Sequence, residues 1–430
     1  MIRTKQKDKD KKGLKKLDVC IVGLGYIGLP TAAILALAGL KVVGVDTDLL
    51  KIKILKNKHL PDGSEPGLKT LFDAAINSNN FVVSDTIKSA DNYIISVPTP
   101  ITDKHEADLS YLIKSIESVS KVLKRYDLII IESTVPPETS KLVENIVYKE
   151  TKLRAGVDYY LSHCPERVLP GNLLHELVNN DRVIGGVNEL SAKKAEQIYS
   201  KFCHGKIYLT DNTTAELVKL VENSYRDVNI AFANEIARIS AKLKIKSSEV
   251  IDLANKHPRV NILKPGPGVG GHCISVDPWF IIKKYPNLST VTKSARLLNH
   301  EQPRFIYEQT KKIFKGVKHP KVAIFGLAYK GNIGDFRESP SLQLIEFCKK
   351  DKIKYSVYDP YVKESDIELM SLGSAVNGAN LLILMTDHSD FKFLSPKEIG
   401  QLMKTKIVFD TRAVLNKNEW IENQYMFYSI

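Results

Sequence analysis

The stretch that most constrains the fold is the first one after the N-terminal tail. A strand-like run, Asp18–Val22, enters Gly23-Leu24-Gly25-Tyr26-Ile27-Gly28. An Ala/Leu-rich helical stretch from Pro30 to Ala38 follows and stops at Gly39. A second strand, Lys41–Asp46, ends on an acid 18 residues after the last glycine. Three glycines in this spacing carry little information alone. Between a strand and a helix, with an acid ending the next strand, they are a dinucleotide-binding fingerprint. The backbone at Gly23, Gly25 and Gly28 admits a pyrophosphate against a helix N-terminus, whose free N–H groups favour an anion. Tyr26 and Ile27 lie in the same turn. Asp46 is placed to bond a ribose 2′-hydroxyl and to repel a 2′-phosphate, which favours NAD over NADP. A parallel, doubly wound α/β domain is the expected consequence.

More strands continue the pattern. Asn92–Val97 runs into Pro98-Thr99-Pro100, and Leu128–Ser133 into Thr134-Val135-Pro136. Ligands of open parallel sheets sit beyond the carboxyl ends of the strands. Thr99 and Thr134 are therefore candidate cofactor contacts, the alternative being helix caps. Tyr159–His163 leads to Cys164-Pro165-Glu166-Arg167-Val168, where a carboxylate and a guanidinium stand side by side. These are either part of a site or a surface ion pair.

Residues from Thr213 to His257 contain no Gly or Pro and read as strongly helical. Glu216, Lys219, Asn223 and Arg226 share one face at helical spacing. A long helix of this kind is also a plausible dimer contact. It precedes Lys264–Trp279, which holds four glycines in six residues and ends on His272 and Cys273, with Asp277 four residues on. A loop of this composition reads as one moulded around a ligand and delivering a thiol to it. If Cys273 opens a helix, thiol and carboxylate share a face, and the helix terminus lowers the thiol pKa. The alternative is a tight structural turn beside a buried cysteine.

From Lys321 a second α/β pattern begins, and its Gly326-Leu-Ala328-Tyr329-Lys330-Gly331 resembles the first turn with a cation added. Arg337 follows, and Arg412 stands at a later strand end. This turn suits a different phosphate ligand.

Composition narrows the class. The 430 residues are 43% hydrophobic and 26% charged, which suits two or three soluble domains. No apolar run reaches the ~20 residues of a membrane span. The N-terminus lacks the apolar segment of a signal peptide. Five scattered cysteines imply a reducing compartment and no disulfide framework. A cytoplasmic location follows. The net charge of +13 includes +6 from residues 1–16, with eight Lys/Arg against Asp8 and Asp10, a tail expected to be disordered. No stacking aromatics accompany this charge, so nucleic acid is not an expected partner. The remaining positive charge suits anionic small ligands.

On the motifs Ile21–Pro30, Cys164–Gly171, Glu222–Glu235, His257–Leu263, Pro265–Phe280 and Gly326–Pro340, the chain resembles the UDP-glucose/UDP-N-acetylmannosamine dehydrogenase family over nearly its whole length. The resemblance implies two Rossmann-like domains joined by a central long-helix segment. The expected divisions are the tail 1–16, an NAD-binding domain 17–205, a central dimerisation segment with the cysteine loop 206–315, and a UDP-sugar domain 316–430. It implies a four-electron oxidation of a UDP-sugar 6-hydroxyl by two NAD, through a thiohemiacetal and a thioester on Cys273. Lys219 would stabilise an oxyanion or relay a proton, supported by Asn223, with Asp277, Thr134 and Glu166 positioning or activating water. Tyr26, Ile27, Asp46, Lys51, Thr99 and Thr134 would contact NAD, and Arg337 would reach it, either within the subunit or across a subunit boundary. Arg167, Val168, Lys219, Asn223, Arg226, His257, Arg259, Gly270, Tyr329, Lys330 and Arg412 would contact the UDP-sugar. No residue is assigned to a metal. The small Arg167-Val168 pair points to a 2-acetamido sugar, UDP-N-acetyl-D-mannosamine, with UDP-N-acetylglucosamine and UDP-glucose as alternatives. Two other classes stay open: a single-oxidation hydroxyacid dehydrogenase and a non-catalytic nucleotide-sugar sensor.

Overall fold

The computed structural model describes residues 17–61, 65–168 and 171–430. The basic tail 1–16, expected to be disordered, lies outside them. The described residues divide into two compact units, 17–99 with 109–217 and 100–108 with 218–430.

The first unit is built on an eight-stranded sheet. Its strands are β1 (Leu17–Val22), β2 (Val42–Val45), β3 (Phe81–Ser84), β4 (Ala90–Ile95), β5 (Leu128–Ile131), β6 (Tyr160–His163), β7 (Arg182–Gly186) and β8 (Ile207–Asp211). Their order is β3-β2-β1-β4-β5-β6-β7-β8. The first six run parallel, β7 pairs antiparallel to β6, and β8 runs parallel to β7. The central strands are apolar on both faces because helices cover both. Val19, Ile21, Ile94 and Ile130 belong to one core, and Cys20, Tyr93, Ile129 and Ile131 to the other. The order reverses at β1, which places the turn after β1 at the switch point where α/β sheets bind ligands. The helix after that turn is Gly28–Leu37, starting two residues before Pro30, which fits because proline is tolerated in a first turn.

The second unit holds a five-stranded parallel sheet, β9 (Lys321–Phe325), β10 (Lys354–Tyr358), β11 (Leu381–Leu384), β12 (Ile407–Asp410) and β13 (Met426–Ser429), in the order β10-β9-β11-β12-β13. It repeats the arrangement of the first sheet around its own first strand and likewise has a core on each face.

The expected helical block 213–257 is two helices, Asn212–Leu243 and Ser247–Ala254. The break falls at Lys244, whose φ of 60° is left-handed. No glycine or proline announces it. Buried Asp227 on the long helix is paired with Arg296 of helix Thr290–His300 at 2.8 Å and also accepts from Asn299. Among the described residues no helix is long and apolar enough to cross a membrane.

Candidate active site

In the first unit the carboxyl ends of β1, β2, β4, β5 and β6 share one edge of the sheet, because those strands are parallel. Gly23 has φ 98°, and a Cβ on it would lie 2.4 Å from the Ser96 carbonyl oxygen. A Cβ on Gly28 would lie 1.9 Å from the Gly23 carbonyl oxygen, so the turn closes only with glycine at both positions. Gly25 has open space around it, as a backbone that a pyrophosphate approaches must have. Asp46 folds back onto this turn. Its Oδ2 accepts from Leu24 N (2.9 Å) and Lys51 Nζ (2.8 Å), and its Oδ1 from Asp48 N (3.0 Å). Burial would raise the Asp46 carboxyl, but the bonds from Lys51 and the backbone outweigh it and hold the group ionised, below its ordinary range. Tyr26 donates to Glu65 Oε2 at 2.7 Å, and Glu65 Oε1 accepts from Leu173 N at 3.0 Å. These residues fit an NAD pyrophosphate and ribose.

Thr99 and Thr134 follow neighbouring strands β4 and β5, and their loops are tied by Ser133, which bonds both Val97 N (2.9 Å) and Val97 O (2.7 Å). Neither threonine is a helix cap, since the following helices start after Leu109 and Glu138. Glu216 is likewise outside the expected polar row. It is buried and accepts from Glu138 N (2.6 Å) and Ser140 N (2.7 Å), capping the helix Thr139–Thr151.

Glu166 does not pair with its neighbour Arg167. Its Oε2 accepts from buried Arg182 at 3.0 Å, and its Oε1 from the backbone N of Arg167 at 2.7 Å. Arg167 instead donates to Asp181 O at 3.2 Å, and Val168 packs on the core. Behind Glu166 lies a buried group the sequence did not single out. Tyr199 donates to Glu132 at 3.0 Å, and the Arg182 guanidinium stacks over the Tyr199 ring. Burial, with the Glu166 charge adding to it, pushes the Glu132 carboxyl up to about 7 despite Arg182. The one clue was an acid ending the apolar run Ile129-Ile130-Ile131.

In the second unit, Cys273 does not open a helix. Val276 N and Asp277 N both bond the Cys273 carbonyl (3.0 and 2.8 Å), and the helix proper is Asp277–Lys284. Proline at 278 fits only a first turn, so the helix begins at Asp277. The thiol is accordingly not lowered. Burial and the Asp277 charge push it up to about 11, against the opposing pull of Lys219 and Arg337. Asp277 is buried, and burial lifts its carboxyl to about 6 against the charge of Lys219 and a hydrogen bond from Asn223. Lys219, Asn223, Cys273 and Asp277 are thus one electrostatic group.

The glycines of this loop are shaped largely by protein. Gly271 has φ 84°, and a Cβ there would meet the Tyr329 ring at 2.7 Å; at Gly270 it would meet the Glu338 carbonyl oxygen at 2.6 Å. The loop therefore packs on the turn after β9. Arg337 lies in the same cluster. It pairs with Asp335 (2.6 Å) and reaches His272 Nδ1 (3.1 Å), which gives it a place beside Cys273 within this chain. Arg412 donates to Tyr329 O (3.2 Å), while its buried Nε has no hydrogen-bond partner in the structure. Its guanidinium also lies 3.6 Å from Asp387, and Lys330 follows Tyr329 in the same turn. Arg226, His257 and Arg259 are exposed, unlike buried Asp277. His257 Nδ1 accepts from Arg259 N at 3.3 Å.

Together these features define an NAD-dependent dehydrogenase with a cysteine centre. Residues 17–203 match the NAD binding domain of the UDP-glucose/GDP-mannose dehydrogenase family, 213–301 its central domain and 323–417 its UDP binding domain. The chain is 48% identical over 425 residues to a UDP-N-acetyl-D-mannosamine dehydrogenase of Methanococcus aeolicus, covering 97% of this chain and 96% of that protein. It is 38% identical to the NDP-N-acetyl-D-galactosaminuronic acid dehydrogenase of Ralstonia nicotianae, covering 92% and 96%. The structure of the UDP-D-ManNAc dehydrogenase from Pyrococcus horikoshii superposes with a TM-score of 0.90 at 38% identity, covering 96% of this chain and 99% of that one. The chain belongs to the UDP-glucose/GDP-mannose dehydrogenase family. It is an NAD-dependent nucleotide-sugar dehydrogenase.

Two outcomes follow. Asp46→Ala should narrow the preference for NAD⁺ over NADP⁺ by about tenfold or more in kcat/KM, since it removes a repulsive carboxylate and a hydrogen-bond acceptor. An unchanged cofactor ratio would remove Asp46 from the ribose site. The second concerns pH. Below about 6 the Asp277 carboxyl is protonated and cannot accept a proton, so the rate should fall on the acid side with a midpoint near that value. Asp277→Asn should lose about a hundredfold or more in kcat and abolish that limb; the same limb in the variant would assign it to another group.

Proposed function

We propose that the chain oxidises the 6-hydroxyl of UDP-N-acetyl-D-mannosamine to the carboxylate of UDP-N-acetyl-D-mannosaminuronate for surface polysaccharide synthesis. The observation that carries the reaction is the placement of Cys273 among Lys219, Asn223 and Asp277 in a chain of this family. The sugar is supported by the mannosamine dehydrogenases among its relatives. NAD supplies the oxidant, accepting a hydride at each oxidation, so that one primary alcohol, two NAD⁺ and one water give one carboxylate, two NADH and three protons.

The chain's own residues do the rest. Lys219, with Asn223, stabilises the negative oxygen at C6 as the alcohol loses its proton. Once the aldehyde forms, Cys273 Sγ bonds to C6 and the thiol proton passes to the carbonyl oxygen, giving a thiohemiacetal. A thiol held near 11 remains protonated at neutral pH and stays inert until that carbonyl arrives. The second oxidation leaves a thioester. Asp277, ionised above about 6, takes a proton from the attacking water, the C6–Sγ bond breaks, and the thiol is regenerated. Glu166 and Thr134 position that water. Tyr329, Lys330 and Arg412 hold the UDP, and Gly270 keeps the cysteine loop close to Tyr329. Arg226, His257 and Arg259 extend the nucleotide-sugar contacts at the surface, and Arg167 with Val168 leaves space for the 2-acetamido group. Five free cysteines suit a cytoplasmic setting.

The long helix supports a homodimer. Val221, Tyr225, Phe232 and Ile239 lie at helical spacing, and all four are exposed, Tyr225 at 70%. Sedimentation should give a dimer at micromolar concentration, and Tyr225→Asp with Phe232→Asp should give a monomer. A wild-type monomer would reject this surface as the dimer contact.

Kinetics with UDP-N-acetyl-D-mannosamine, UDP-N-acetylglucosamine and UDP-glucose test the substrate. The mannosamine sugar should have the highest kcat/KM and yield two NADH per sugar. UDP-glucose equalling both acetamido sugars would overturn the sugar assignment. Cys273→Ser should release no free acid, and two NADH per sugar from that variant at the wild-type rate would overturn the covalent route.

A further inference from the structure

The turn Gly326–Asn332 after β9 carries Tyr329 and Lys330, and the exit of β11 grips it residue by residue. Thr386 Oγ1 donates to the Ala328 carbonyl, and Gly331 N donates to Asp387 Oδ1 at 3.1 Å. Asn332 N donates to His388 Nδ1 at 2.9 Å. Ser389 N and Oγ donate to Asn332 Oδ1 at 2.8 and 2.9 Å.

His388 stands out because it is fully buried, at 0% exposure. A backbone N–H can only donate, so Nδ1 accepts and the ring proton sits on Nε2. That N–H faces Asp359 Oδ2 at 3.0 Å. The ring is packed by Tyr361, stacked at 4.8 Å, and by the edge of Phe391 at 5.0 Å. Asp359 Oδ2 also accepts from Leu327 N (2.7 Å) and Ala328 N (2.9 Å), and its Oδ1 from Tyr361 N (2.8 Å) and Val362 N (3.1 Å). Asp359 therefore holds the first limb of the turn and His388 the last, with Lys330 between them and the two anchors bonded to each other.

We propose that His388 is a positioning residue for the UDP-sugar. Through Asp359 on one side and Asn332 on the other, it fixes the turn so that Tyr329 and Lys330 are presented before the nucleotide arrives. Ordering them beforehand removes an entropy cost from binding and leaves the chemical step untouched. The inference rests on the reading that this turn faces the UDP-sugar. A merely structural histidine would instead affect folding and every kinetic constant alike.

The test is steady-state kinetics on the full chain with UDP-N-acetyl-D-mannosamine and NAD⁺. His388→Gln reaches Asp359 but leaves the Asn332 N–H unpaired. His388→Phe keeps the ring packing and loses both bonds, which preserves a readout where the glutamine variant fails to fold. His388→Asn places a carbonyl oxygen near the Nδ1 position and restores the bond to Asn332. The Gln and Phe variants should raise KM for the UDP-sugar about tenfold, the scale of one buried N–H losing its partner. Their kcat and KM for NAD⁺ should stay within about twofold, and His388→Asn should recover most of the loss. Lys330→Ala, which tests the underlying reading, should raise the same KM. An unchanged KM in Lys330→Ala overturns that reading and the proposal together. A raised KM there overturns the proposal alone if the His388 variants bind sugar normally, lose kcat and NAD⁺ affinity equally, or gain nothing from asparagine.

Discussion

Each unit depends on a carboxylate at the end of its second strand that bonds the turn after its first. In the first unit Asp46 accepts from Leu24 N at 2.9 Å; in the second Asp359 accepts from Leu327 N at 2.7 Å. The turn itself has no regular partners for these N–H groups, and an unpaired buried donor is costly. The carboxylate removes that cost and sets the distance between the two strands' exits. The binding surface of each sheet is built outward from it. Asp46 keeps an edge toward solvent beside Lys51, whereas Asp359 is closed in by five donors.

Burial supplies the chemistry on the same scaffold. It lifts the Cys273 thiol to about 11, the Asp277 carboxyl to about 6 and the Glu132 carboxyl to about 7. Perturbed groups of this kind mark functional sites when they are accompanied by a specific charge partner. Lys219 is that partner for Cys273 and Asp277, and Arg182 for Glu132 and Glu166. For Cys273, Asp277 and Glu132 the cation opposes desolvation without cancelling it, which leaves the two carboxyls close to the point of proton exchange near neutral pH and the thiol protonated there. That suits a reaction that alternately needs a neutral thiol, an alkoxide and a water-activating carboxylate.

What was legible in the sequence was local. Gly23, Gly28 and Asp46 are specified by turn geometry within about thirty residues, and the structure places them as the spacing implies. Cys273 and Asp277 were also legible as a pair, but the helix start was not read correctly, although Pro278 marks it. Long-range partnerships left no such trace. Glu132 meets Tyr199 across 67 residues, Glu216 caps a helix 76 residues away, and His388 meets Asn332 across 56. Periodicity put Glu216 in line with Lys219 and Asn223, and only the packed fold shows that it turns to another helix. The break at Lys244 escaped for a related reason: a lysine in the left-handed region carries no compositional signal.

The two halves of the repeated fold differ in what the turn after the first strand can hold. Both turns share one geometry, but only the first has the features a dinucleotide requires, namely the open approach at Gly25 and a carboxylate still able to meet a ribose. In the second turn Asp359 has spent both oxygens on the backbone and on His388, and the glycine that would admit a pyrophosphate is the buried Ala328. A second dinucleotide has no equivalent seat there. On the proposed reaction both hydrides therefore leave through the single site on the first sheet, and the reduced cofactor must exchange for a fresh one between the two oxidations. An aldehyde free to diffuse would be lost during that exchange. A bond to Cys273 prevents this, so the covalent thiol serves retention of the half-oxidised sugar as much as activation of it.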